Sequence, residues 1–173
     1  MKWAELLKSE AESTYRAVEG LMDLVDADKL AWKPETGDWM STSELLRHLT
    51  NACGWCSERF VSDTWQAVME GTAPSPGTDV ESVDEAKRLL AEDKALTLRL
   101  IDQTGDEALS NRHMPAPWDP TSRSLGQHLL SMIGHLAQHK GQLFYYLKLQ
   151  GKPVTTWTLY GIPEPSSGPA EAS

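Results

Sequence analysis

The sequence predicts an all-α fold, an antiparallel four-helix bundle, on three observations. Apolar residues recur at three- and four-residue steps in four long segments. Boxes of the type Ser-x-x-Glu or Ser-x-x-Gln, which satisfy the orphan amides of a helix start, stand ahead of three of them. No segment shows the period-two alternation of a half-buried strand.

The first helix runs from about Trp3 to Val25, its stripe carried by Leu6, Leu7, Tyr15, Val18, Leu21 and Met22. Asp26 to Met40, with Pro34 and Gly37, is a connection. The box Ser41-Thr-Ser-Glu44 opens a second helix, which buries Leu45, Leu49, Ala52, Cys56 and Phe60 and fades near Gly71. Gly71 to Val80 holds Pro74, Pro76 and Gly77 and reads as a loop. Ser82-Val-Asp-Glu85 opens a third helix through Leu89, Leu90, Leu98 and Ile101 to about Gln103. An irregular segment with Pro115, Pro117 and Pro120 follows. Ser124-Leu-Gly-Gln127 then caps a fourth helix, which ends near Gln150 ahead of Gly151, a residue favoured just past a helix end. Residues 1–165 are expected to form one domain, and 166–173 a loose tail. Helices joined by connections of this length suit a bundle.

Composition narrows the function classes without choosing one. The 173 residues carry 16 Lys+Arg against 25 Asp+Glu, a net charge of −9, with 40% apolar and 24% charged residues. That balance belongs to a folded domain. It argues against a nucleic-acid face, because no basic cluster is present to meet a phosphate backbone. No apolar run approaches the roughly 20 residues of a membrane span. The charged start, with Lys2, Glu5 and Lys8, lacks the apolar stretch of a secretory signal, and two cysteines make no disulfide framework. The expected location is cytoplasmic.

Of five histidines, His135 and His139 are the informative pair. Four residues apart on a helix, they share one face about 6 Å along the axis, so two imidazoles can converge on one ion. Such a pair also arises by chance and faces water. The neighbours favour the inward reading: His128, Met132, His135, His139, Gln142 and Tyr146 form one stripe, flanked by Leu129, Ile133, Leu136 and Leu143. An inward imidazole needs a partner, and a metal would supply one. His48, three residues after Leu45 and four before Ala52, should also face the core. Packed helices lie about 8–10 Å apart, so it can complete a site begun by the other two. Three imidazoles leave a divalent ion with open positions, the plan of a catalytic centre. Nitrogen donors suit zinc or nickel better than magnesium or calcium, although spacing does not choose between them.

His128 lies two turns, about 10 Å, from His135, which points to the pocket wall rather than to ligation. Gln142 and Tyr146, one and two turns beyond His139, are placed to orient substrate or water. His113 reads as a solvated loop residue. Cys53-Gly-Trp-Cys56 has the spacing of a redox motif, but it falls inside the second expected helix, where such thiols usually pack as small core residues. Asp84, Glu85, Glu92 and Asp93 read as a solvated face.

The blocks Leu30-Ala-Trp-Lys-Pro34, Trp39-Met-Ser41 and Glu44-Leu-Leu-Arg-His48-Leu, then Gly134-His-Leu-Ala-Gln-His-Lys-Gly-Gln-Leu143, Tyr146-Leu-Lys-Leu-Gln-Gly151 and Tyr160-Gly161, together resemble the DinB/YfiT-like family of metal-dependent enzymes. The resemblance spans nearly the whole chain. It implies an up-down-down-up bundle, frequently a homodimer, with His48, His135 and His139 as the metal triad. It also implies a small-molecule substrate and a low-molecular-weight thiol co-substrate, in an S-transferase or isomerase, or else a hydrolase. The alternative on the same fold is a non-enzymatic metal- or ligand-binding stress protein. Cys53 and Cys56 are not part of the matched motif.

Overall fold

The computed structural model describes residues 2–165; the loose tail expected over 166–173 lies outside the described residues. The chain is mostly helical. Its helices are α1 (Trp3–Met22), α2 (Thr42–Leu49), α3 (Gly54–Ser62), α4 (Trp65–Met69), α5 (Val83–Asn111), α6 (Leu125–Leu149) and α7 (Thr156–Tyr160). Between α5 and α6 stand two strands, β1 (His113–Ala116) and β2 (Asp119–Ser124). Among the described residues no helix is long and apolar enough to cross a membrane.

The apolar stripes read from the sequence meet in one core. Leu7, Tyr15 and Leu21 of α1, Leu45 and Leu49 of α2, Phe60 of α3, Ile101 of α5 and Leu136 and Leu143 of α6 are all fully or almost fully buried. Helix α1 packs on α5 and α6, and the α2–α3 pair packs on α5 and α6 from the other side. Truncating a residue such as Leu136 to Ala would cost about 2–5 kcal/mol through lost transfer energy and the cavity left behind.

The caps at Ser41 and Ser124 form as expected, with the Ser hydroxyl taking the amide three residues on and Glu44 or Gln127 returning the bond. At Ser82 only half of the box forms. Its hydroxyl accepts from the Glu85 amide, while the Glu85 carboxylate takes the Glu81 amide instead.

Several expectations are corrected. The single helix expected from Ser41 to Gly71 is three: α2 ends at Leu49, and α3 starts at Gly54 because the Asp93 side chain of α5 accepts the Gly54 and Trp55 amides, each at 2.9 Å. Only glycine fits there, since a Cβ on residue 54 would lie 2.5 Å from the Asp93 carbonyl oxygen. Asp93 is therefore not on a solvated face; it is 5% exposed.

The third expected helix continues past Gln103 to Asn111, through a non-helical Gly105 with φ 73°. The irregular segment contains an antiparallel hairpin pairing His113 with Ser124 and Met114 with Arg123. Alternation could not reveal it, because most of its residues are exposed on both faces and prolines interrupt both strands. Beyond Gly151 the chain adds the short helix α7.

Candidate metal centre

Helices α2 and α6 bring together the three histidines that the sequence singles out. His48 Nε2 lies 3.2 Å from His135 Nε2 and 3.0 Å from His139 Nε2, and the last two atoms are 3.1 Å apart. All three side chains are partly buried, and they are the group of His, Cys, Asp or Glu found close enough, among the described residues, to hold one ion.

The far nitrogens of two rings fix their tautomers. His135 Nδ1 donates to the Ala52 carbonyl (3.1 Å) and His139 Nδ1 to Gln142 Oε1 (2.9 Å). Both partners are acceptors, so both Nδ1 atoms carry the hydrogen and both Nε2 atoms present a bare lone pair. Of three mutually close nitrogens, His48 alone is left to supply a hydrogen. One proton cannot bridge three contacts. A cation at the centre would satisfy all three, and donors about 2.0–2.1 Å from a tetrahedral zinc lie roughly 3.3 Å apart, close to the spacing found.

Two of the rings, His48 and His135, are also held neutral. Burial, followed by the neighbouring His139 and His135, depresses His48 to about 4. Burial, with His139 behind it, also lowers His135, against the opposing pull of the Ala52 carbonyl. Lone pairs are thus available at neutral pH, as metal ligation requires.

The support extends outward from His139. Gln142 Nε2 donates to Tyr146 Oη (3.2 Å), whose hydrogen goes to the Met40 carbonyl (2.8 Å). Gln142 therefore holds the His139 ring, with Tyr146 behind it. His128 does not reach the centre. It is 3% exposed, stacks on Phe60 with ring centroids 4.3 Å apart, and its Nε2 meets the Met114 carbonyl at 2.8 Å. It ties α6 to the hairpin. His113 is exposed, on β1.

Several participants escaped the sequence. The Ala52 carbonyl has no side-chain signal, and it faces His135 only because the chain breaks between α2 and α3. Asp93, which makes that break, looked like one acid among several. Arg47, Asn51 and Trp55 line a cavity of about 460 Å³ beside His48. Cys56 lines it too, although the helical spacing placed it two turns from His48.

Cys53 stands at the start of α3, not inside a helix, so the positional objection to redox chemistry falls. Burial supplies another: it pushes both Cys53 and Cys56 thiols up to about 12. Neither is a ready thiolate at neutral pH.

The family model of the DinB superfamily matches residues 10–143, a span that includes all three histidines. No curated protein gives a significant match to the chain. Among solved structures, a DinB-like protein of Bacillus subtilis (YjoA) is similar over 88% of this chain and 97% of its own, with a TM-score of 0.68 and 19% identity. A DinB-family protein of Exiguobacterium sibiricum is similar over 91% of this chain and 98% of its own, with a TM-score of 0.64 and 20% identity. At these identities the likeness concerns the fold. From the match over residues 10–143, the chain belongs to the DinB superfamily.

Proposed function

We propose that this protein is a metal-dependent enzyme in which His48, His135 and His139 hold one divalent ion, zinc or nickel, on an up-down-down-up four-helix bundle. The observation that carries the proposal is the meeting of three Nε2 atoms within 3.2 Å, two of them stripped of hydrogen by Ala52 and Gln142. A divalent ion held there would act as a Lewis acid, lowering the pKa of a thiol or water and polarising an electrophile. The reaction is the transfer of a low-molecular-weight thiol to a small electrophile, or a hydrolysis.

The chain's own residues bind and orient. The cavity beside His48 has room for a small thiol, and Arg47 on its wall, with Nε donating to the Gly77 carbonyl (3.2 Å), offers a partner for that thiol's carboxylate. Glu44 lines the same cavity, but its carboxylate is engaged with the Ser41 amide at 2.6 Å, and it serves α2 as a cap. No carboxylate is thereby freed as a general base, which favours a reaction whose nucleophile is activated at the metal.

The test is thiol consumption by metal-loaded protein offered epoxides and activated halides. The proposal expects turnover that requires the metal and falls by at least about tenfold in Arg47→Ala if that side chain holds the thiol's carboxylate. Stoichiometric metal with neither thiol transfer nor hydrolysis would instead assign the chain a binding role.

A further inference from the structure

Gln142 lines a second and larger cleft, of about 780 Å³, with a different lining from the cavity beside His48. Trp32, Trp39, Tyr145 and Tyr146 form its walls. Trp32 and Trp39 each stand at 77° to the Tyr146 ring, with centroids 5.2 and 6.5 Å away.

Three of the walls, Trp32, Trp39 and Tyr146, are held before anything binds. The Trp32 carbonyl takes the Thr42 amide (2.8 Å) and hydroxyl (3.0 Å), Trp39 Nε1 donates to the Thr36 carbonyl (2.7 Å), and Tyr146 is held by Met40. Gly37, at φ 98°, lets the indole of Trp39 fold back; a Cβ there would sit 2.8 Å from its Nε1. A ligand would therefore meet these three rings preformed and lose little in ordering them. Yet Trp39, Tyr145 and Leu149, all on this cleft, are 44%, 63% and 67% exposed. Clustered apolar surface of this kind marks a binding face.

The charge pattern narrows the ligand. Among the lining residues Glu35 alone is charged, and no Lys or Arg joins it. Ring faces carry negative potential, and aromatic walls at steep angles with a carboxylate at the rim form a cage for a weakly hydrated cation. An anion would find no cationic partner in this lining and would meet the Glu35 carboxylate. A bare metal ion would find too few oxygen donors.

We propose that this cleft binds a small organic cation, an alkylated or quaternary ammonium group on an apolar body, between Trp32, Trp39 and Tyr145 with Glu35 as counter-charge. Gln142 joins the cleft to the metal centre, because it lines one and holds His139 of the other. As a substrate class for the enzyme the cation rests on the metal reading above; as a binding site it does not.

The experiment is a titration of tryptophan fluorescence with choline and with 3,3-dimethylbutan-1-ol, which has the same shape without the charge. Choline should bind about tenfold more tightly than the alcohol. Tyr145→Ala, at an exposed position that folding does not need, should weaken choline several-fold. Glu35→Gln should weaken choline and leave the alcohol unchanged. His135→Ala should keep choline binding while losing metal, so failure of the metal reading leaves this site standing. Equal binding of the two probes, or no response to either at millimolar concentration, overturns the proposal. So does a dimer, seen by sedimentation, that Tyr145→Glu dissociates, for then the face is covered by a second copy.

Discussion

The molecule buries two clusters of polar side chains about the break between α2 and α3, and they are built on opposite principles. Around Asp93 the side-chain oxygens meet donors. The carboxylate takes the Gly54 amide, the Trp55 amide and the Tyr15 hydroxyl (2.7 Å), and Thr97 Oγ1 donates to the Asp93 carbonyl (2.9 Å). Burial raises the Asp93 carboxyl above its ordinary range while those donated bonds pull it back, and burial likewise raises Tyr15.

Around His135 and His139 the hydrogens are led away, to Ala52 and Gln142, and the lone pairs are left facing each other. The first cluster is closed and stabilises a helix start. The second is open, and its three nitrogens lie close enough to hold a metal ion. Because Ala52 lies in the segment that Asp93 anchors, the closed cluster shapes the open one.

The largest effect is expected at the closed cluster. Asp93→Ala would strand two backbone amides and the Tyr15 hydroxyl, at a cost of about 3 kcal/mol or more in urea unfolding. A loss within a few tenths would show that water replaces the carboxylate. The open cluster should respond to ligand instead. Adding zinc at about 100 times its Kd should raise stability by roughly 2.7 kcal/mol, an effect that a chelator reverses. The same addition to His48→Ala should do little.

Gln142→Ala comes next. It frees the far nitrogen of His139 and should weaken metal binding about 10- to 100-fold while leaving metal-free stability almost unchanged. An unchanged affinity would mean that the ring needs no such holder.

The smallest effect concerns the start of α2, the helix that carries His48. Hydrogen bonds from Ser41 hold the Glu44 carboxyl below its usual value. A depressed folded pKa stabilises above the unfolded pKa and is lost as pH falls through the folded one. Glu44→Gln should therefore cost a few tenths of a kcal/mol at neutral pH, and the difference should fade in acid. A gap that widens in acid would contradict the assigned direction.

Much of this was legible in the sequence because it depends on local rules. The start of α1, the boundaries of α6, the caps at Ser41 and Ser124 and the inward histidine stripe follow from periodicity and capping chemistry. What was not legible depends on contacts between distant segments. Nothing in Thr50–Gly54 announces a helix break; Asp93, 39 residues beyond Gly54, imposes it. The hairpin is exposed and proline-rich, so it carries no alternation to read. His128 shares the stripe of His135, but its partner, the Met114 carbonyl, belongs to that unseen hairpin. The triad itself was readable, whereas the acceptors that set its tautomers were a backbone carbonyl and a neutral amide.

The most direct measurement is metal content and cobalt absorption of the purified protein and its single variants His48→Ala, His135→Ala and His139→Ala. The account predicts one divalent ion per chain in the parent protein, a tetrahedral or five-coordinate cobalt spectrum, and loss of the stoichiometric ion in each variant. Retention of a full equivalent of metal in all three would contradict it.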